Sequence, residues 1–209
     1  MTRAAEVERI LERYLIEVVE RHALCPWAHT ARERGELAIG VLWDAPALDD
    51  WVAETARLLA APRTRVAMVV APELAIARAA LGAVRDAVAA RLPAAGVAEF
   101  HPDAELDLST PARLVPFLRR SPDPMLQLVP LALIDAARAG HASPADRALQ
   151  ATMLGGHAAP HRELSAEIAA ANHATVAAAH AAIADALDDI AADRRAAYAQ
   201  AGIRSGSIR

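Results

Sequence analysis

Three short apolar runs decide the fold of this chain: Leu37-Ala-Ile-Gly-Val-Leu-Trp43, Arg65-Val-Ala-Met-Val-Val-Ala71 and Val97-Ala-Glu-Phe-His101. Two segments with helical patterning separate them, at 49–61 and 73–92. The alternation of strand and helix is typical of parallel strands that are joined by right-handed crossovers. We therefore predict an α/β protein with a small, mostly parallel sheet of three or four strands and flanking helices.

Helices are predicted before this pattern. Apolar residues recur at steps of three and four from Val7 to His22, which indicates an amphipathic helix that ends at Cys25. Proline is well suited to the first turn of a helix, so Pro26 favours a second short helix that Gly35 stops.

The chain after the third run is rich in proline. Residues 104–124 are predicted to form an ordered loop with a short strand near 114–118, because proline and polar residues break regular patterns there. The segment 125–139 is predicted to be helical, and alanine dominates from 161 to 201.

The alanine-rich segment is predicted to form one long helix. Its larger apolar residues lie on one face, namely Val176, Ile183, Leu187 and Ile190. Alanine buries little area, so this helix needs a partner surface, which is either the sheet or a second subunit in a homodimer. We divide the chain into an α/β core domain at 1–140 and a helical C-terminal extension at 141–209.

Composition and charge argue against nucleic acid and membranes as partners and indicate where the protein is located. The 209 residues are 55% hydrophobic and carry a formal net charge of −4, with scattered arginines, so no basic surface for nucleic acid is expected. Glutamates interrupt the N-terminal helix, which argues against a signal peptide, and no apolar stretch approaches the roughly 20 residues of a membrane span. With a single cysteine and no disulfide, the sequence indicates a cytoplasmic protein.

The candidate site follows the third run. His101 and Asp103 fall at the carboxyl end of a predicted parallel strand, where ligands of open α/β sheets bind. His101 is a candidate acid or base that Asp103 orients; alternatively, His101 caps the strand and Asp103 organises the turn. Arg120 and Ser121 could clamp a carboxylate or phosphate, or Arg120 could pair with Asp107 or Asp123 at the surface.

Cys25 has three interpretations. It is a small buried residue at a helix junction, a nucleophile beside His22, or a thiolate ligand to haem or another metal. In the metal interpretation Cys25, His101 and Asp103 are the candidate ligands of iron, zinc or haem.

The sequence resembles a bacterial family of unknown function. Three motifs carry the resemblance: Cys25-Pro26-Trp27-Ala28, Phe100-His101-Pro102-Asp103, and Arg120-Ser121-Pro122-Asp123-Pro124 followed by Met125-Leu126. Family members read Cys-Pro-Phe-Ala, Phe-His-Pro-Asp, and Arg-Ser-Pro-Tyr-Pro followed by Leu-His-Leu. Gln127 stands where the family places histidine, and Asp123 where it places tyrosine. The resemblance spans 25–134 and implies no established activity.

Three functions follow as hypotheses. The first is an enzyme, a hydrolase or transferase, that acts on a small anionic metabolite in a cleft at the carboxyl ends of the strands. His101, Asp103 and Cys25 are its candidate catalytic residues, and Arg120 and Ser121 bind the substrate. The second is a metal- or haem-dependent redox enzyme. The third is a non-catalytic binding or assembly module.

Overall fold

The computed structural model describes residues 2–135 and 161–204, and it shows an α/β fold with helices on both faces of a four-stranded sheet. A further helical turn occupies 131–135. In chain order the elements are α1 (Arg3–Tyr14), a π-helical segment (Leu15–Glu20), α2 (Ala28–Glu33), β1 (Leu37–Val41), α3 (Leu48–Leu59), β2 (Val66–Val70), α4 (Arg78–Arg91), β3 (Ala95–Phe100), α5 (Pro111–Leu118), β4 (Met125–Pro130) and α6 (His161–Ala201).

The sheet has the strand order β1-β2-β4-β3. Strands β1 and β2 are parallel, whereas β4 is antiparallel to both β2 and β3. The three predicted strands therefore run in one direction, as their helical crossovers require. The sheet is nevertheless mixed rather than mostly parallel, because β4 lies between β2 and β3.

Two sequence predictions near β4 are wrong. The segment 125–139 was expected to be helical, but Met125–Pro130 forms a central strand. The strand carries apolar residues toward both faces of the sheet, with Gln127 as its one polar residue, so it lacks the alternation of a half-buried strand and resembles a helix segment. The strand predicted near 114–118 belongs instead to helix α5, whose first turn Thr110 caps by accepting a hydrogen bond from Arg113 N at 3.3 Å.

Local signals explain where the other early helices begin and end. The Thr2 side chain caps α1 by accepting a hydrogen bond from Ala5 N at 3.2 Å. Gly35 has a φ of +62° just after α2, a backbone conformation that glycine adopts without strain, so the predicted stop is confirmed.

Separate hydrophobic cores lie on the two faces of the sheet. On one face, α3 and α4 pack their buried residues, among them Trp51 and Leu81, against Val69 and Leu128. On the other face, α1, the π-helical segment, α5 and α6 share a core with Met68, Val70 and Met125.

Helix α6 packs its apolar stripe inside this second core. Val176, Ile183, Leu187 and Ile190 are all buried, and the helix contacts α1, α5 and the π-helical segment. The stripe that raised the possibility of a homodimer is therefore covered by the same chain. The predicted domain boundary at 140 and 141 lies outside the described residues.

Within residues 2–135 and 161–204, no helix combines the length and the apolar character needed to cross a bilayer.

Candidate functional site

His101 lies at the end of β3 and is buried, with 3% of its surface exposed. Its Nε2 lies 2.8 Å from the carbonyl oxygen of Ile76, and its Nδ1 accepts a hydrogen bond from the backbone N–H of Asp103 at 3.1 Å. A neutral imidazole with the proton on Nε2 satisfies both contacts. His101 thus joins the end of the strand to the segment before α4, in the geometry of a structural residue.

The side chain of Asp103 points to solvent. Its carboxylate is 74% exposed and lies 3.9 Å from His101 Nδ1, beyond hydrogen-bond range. The backbone of Asp103, rather than its carboxylate, therefore positions the imidazole. This arrangement is the turn-forming alternative in which His101 caps the strand.

The structure brings the second and third motifs together. His101 N donates to the carbonyl oxygen of Arg119 at 3.0 Å, and Arg120 Nε donates to the carbonyl oxygen of Pro102 at 3.2 Å. The buried Ser121 hydroxyl donates to the carbonyl oxygen of Asp123 at 2.6 Å. Arg120 and Ser121 therefore bind backbone oxygens within these loops.

A buried polar cluster that the sequence did not predict joins the third motif to α6. Arg194 Nε donates to Asp123 Oδ1 at 2.7 Å, and the Tyr198 hydroxyl donates to Asp123 Oδ2 at 2.6 Å. Arg194 also donates to the carbonyl oxygen of Pro72 at 3.1 Å, just beyond β2. Burial, together with the negative charge of Asp123, raises the pKa of Tyr198.

The spacing of residues along α6 could have indicated that Arg194 and Tyr198 are buried. Ile183, Leu187 and Ile190 lead by steps of three and four to Arg194 and then to Tyr198. Arg194 and Tyr198 therefore continue the buried face of the helix, where a polar group needs a partner.

Charged groups occupy the carboxyl ends of β1 and β2. The Glu73 side chain accepts hydrogen bonds from Arg3 at 2.5 Å, from Arg204 N at 2.9 Å and from Asp44 N at 3.2 Å. Arg204 also forms an ion pair with Asp44. The two ends of the described chain thus meet Glu73 and Asp44 at the carboxyl ends of β1 and β2, on the edge at which the sequence predicted a ligand.

A cavity of about 680 Å³ lies instead against one face of the sheet. Its floor is formed by residues of all four strands, namely Leu37, Val66, Met68, Phe100, Gln127 and Val129. Its walls come from the first helical segments, the Cys25 loop, α2, the turn at 131–135 and Ile168 of α6. Neither His101 nor Asp103, Arg120 or Ser121 lines this space.

The backbone around one wall of the cavity is unusual. The π-helical segment contributes Leu15 and Val19, and Ala23 follows it with a φ of +50°, which is rare for a residue with a side chain. Strained or π-helical backbone is frequent at functional sites. The wall leads directly into the Cys25 loop.

Cys25 lines the cavity and is partly buried. Asn172 of α6 supports the loop by donating from Nδ2 to the carbonyl oxygen of Leu24 at 3.1 Å. Burial raises the pKa of Tyr14, which shares the cavity wall with Cys25. Burial lowers the pKa of His22, and no hydrogen bond joins His22 to Cys25 in the described residues.

The predicted metal ligands do not form one site. Across 2–135 and 161–204, no group of three histidine, cysteine, aspartate or glutamate side chains is arranged to hold a metal ion. Cys25 lies in the cavity wall, whereas both ring nitrogens of His101 face backbone groups.

Comparisons of this chain with protein-family models, with curated proteins and with solved structures found no match. The family resemblance of the three motifs therefore stays a prediction.

Proposed function

We propose that this protein binds a small organic acid with an apolar body in the cavity between the sheet and the Cys25 loop. The observation that carries the proposal is the cavity itself, which is about 680 Å³ and has a largely apolar lining. Ligand pockets of proteins commonly enclose roughly 300–1,000 Å³ and are mostly apolar with a few polar groups.

Charge at the solvent-facing side of the cavity favours an acid. Arg34 and Arg65 line it together with Glu36. Glu36 forms a loose ion pair with Arg65 at 3.5 Å, and the Arg65 side chain is 54% exposed. In the described residues no acidic side chain pairs with Arg34, so one cation is left to attract a carboxylate.

The proposed ligand is anionic, as the motifs indicated, but its site is the cavity against the sheet and not the carboxyl ends of the strands. Arg120 and Ser121 hold backbone oxygens there, so Arg34 and Arg65 are the better candidates for the anion.

A second candidate function is covalent catalysis on the bound molecule, and the place of Cys25 in the cavity wall favours it. A thiolate is an effective nucleophile when it can reach its substrate. In this case Cys25→Ser would retain ligand binding and lose turnover.

Protection of Cys25 from alkylation tests the binding proposal. The chain has one cysteine, so the rate of reaction with N-ethylmaleimide reports on the cavity alone. We expect octanoate, decanoate or dodecanoate to slow the reaction at least fivefold, and uncharged 1-octanol to protect less well than octanoate.

Arginine variants supply the matched comparison. Arg34→Gln should reduce the advantage of octanoate over 1-octanol, because it removes the cavity arginine that no acidic side chain of the described residues pairs with, and leaves only Arg65, which Glu36 partly neutralises. Arg78→Gln is the control, since Arg78 is an exposed arginine at the start of α4 and does not line the cavity. The proposal fails if none of the three acids protects Cys25 or binds in calorimetry.

A further inference from the structure

Gln127 is the polar residue among those that form the cavity floor. It lies on the central strand β4, between Met68 of β2 and Ala98 of β3 in the sheet register. Residues directly opposite each other on neighbouring strands share one face of a sheet. Gln127 is therefore surrounded on that face by apolar side chains.

The amide of Gln127 is available to a ligand. The side chain is half-buried and lines the cavity, and it makes no hydrogen bond to the described part of the chain. Ala98 adds only a methyl group beside it, so the neighbouring strand does not cover the amide. An amide carries two donors and an acceptor, and it loses hydrogen bonds to water when an apolar group covers it.

The turn at 131–135 limits the space toward the edge of the sheet. A side chain at Gly96 would come within 2.9 Å of the Ile134 side chain, so glycine allows this turn to approach β3 closely. Ile134 and Leu133 line the cavity at this side. A ligand that enters from the arginine side therefore meets an apolar surface with one amide in it.

We propose that Gln127 selects ligands that carry a second hydrogen-bonding group, a hydroxyl or a carbonyl, on the apolar part that lies against the sheet. The inference rests on the proposed function, since it assumes that the cavity binds an organic acid. The ligand class is then an acid with an apolar body and a polar group remote from the carboxylate, such as a hydroxy acid or an oxo acid.

Matched pairs of acids test this selection. The probes are alkanoates of eight, ten and twelve carbons and their ω-hydroxy counterparts, whose dissociation constants are measured by calorimetry. The hydroxyl loses hydration when it is buried, so the plain acid should bind more tightly wherever the hydroxyl finds no partner. In the unmodified protein, we expect the ω-hydroxy acid to equal or exceed the plain acid at one chain length or more.

Gln127→Leu should reverse this preference. We expect the ratio of the two dissociation constants to shift at least tenfold toward the plain acid at that chain length. Gln127→Met, which keeps the length of the side chain, is the second variant and should shift the ratio in the same direction. Thr30→Val is the control, because Thr30 is a polar cavity residue away from the sheet, and it should leave the ratio unchanged.

The outcomes separate the two proposals. If the acids bind but the ratio is the same in the unmodified protein and both Gln127 variants, the role of Gln127 is overturned and the organic-acid site stands. If no acid of either series binds the unmodified protein or protects Cys25, both proposals fall.

Discussion

Asp123 and Arg194 lie 71 residues apart in the chain and form a buried ion pair, in which Arg194 Nε donates to Asp123 Oδ1 at 2.7 Å. The pair joins the loop before the central strand to the C-terminal helix. Tyr198 completes it by donating to the other carboxylate oxygen at 2.6 Å. The third sequence motif is thereby tied to a helix that has no motif of its own.

Removal of the carboxylate should destabilise the protein strongly. Asp123→Asn removes the carboxylate that pairs with the buried Arg194, and breaking a buried pair in this way typically costs about 3–5 kcal/mol. Urea denaturation at pH 7 measures the change. The control is Asp189→Asn, which breaks the pair of Asp189 with Arg13. Asp189 is 70% exposed, so the control should cost less than about 1 kcal/mol. Equal losses in the two variants would contradict the prediction.

His101 should stabilise the fold through both ring nitrogens. His101→Ala removes two hydrogen bonds to backbone groups, with an expected loss of about 1–3 kcal/mol in the free energy of unfolding. In ¹⁵N spectra, the neutral ring should carry its proton on Nε2 rather than on Nδ1. Asp103→Ala, at an exposed carboxylate, should change stability by less than about 0.5 kcal/mol. A fully stable His101→Ala protein would rule out this structural role.

Asp193 should make the contact between α1 and α6 dependent on pH. Arg9 donates two hydrogen bonds to it, at 2.7 and 2.8 Å, and Arg13 donates one at 2.7 Å. The bonds from Arg9, aided by Arg13, hold the pKa of Asp193 well below its usual range, despite partial burial. A lowered pKa stabilises the folded state above the unfolded pKa of about 4, and the contribution is lost as the pH falls through the lower folded pKa.

Asp193→Asn tests whether the ion pairs of Asp193 stabilise the contact between α1 and α6. We expect a loss of about 1–2 kcal/mol at pH 7, reduced by solvent screening of the partly exposed carboxylate. The difference from the unmodified protein should shrink as the pH is lowered from 5 to 3 in urea titrations. Asp188→Asn, at an exposed position earlier in α6, is the control. A difference that stays constant with pH would exclude the ion pairs as its cause.

Ala23→Gly should stabilise the protein. Ala23 has a φ of +50°, a conformation that is unfavourable for alanine and open to glycine. We expect a gain of about 0.5–1 kcal/mol after the larger entropy of the unfolded glycine is included. Ala56→Gly, at an exposed position in the interior of α3, should instead cost about 1 kcal/mol. A loss of stability at Ala23 would show that the backbone there is relaxed.

Short-range patterns of apolar residues made the fold class and three of the four strands predictable. The runs at 37–43 and 65–71 contain β1 and β2, and the run at 97–101 overlaps β3, because short apolar segments between helical patterns are typical of the strands of an α/β protein. Strand β4 was not predicted, because its sequence does not alternate between apolar and polar residues. Met125–Pro130 carries apolar residues toward both faces of the sheet, so it lacks the apolar–polar alternation that distinguishes a strand from a helix.

The sequence predicted individual candidate residues but not how the fold arranges them. The motifs predicted His101 and Arg120 as site residues, and the loops that carry them lie side by side. Both side chains, however, form hydrogen bonds with backbone groups. Cys25 was a candidate from its motif and its place at a helix junction, neither of which predicted the cavity that it lines.

The sequence by itself determined the α/β class, the direction of β1, β2 and β3 and the buried stripe of the C-terminal helix, because periodicity and crossover handedness are local properties of the chain. Tertiary structure alone decided that β4 enters the sheet between β2 and β3, that Arg194 meets Asp123, and that Cys25 and Gln127 line one cavity. Those contacts join residues far apart in sequence, and their partners depend on how whole elements pack.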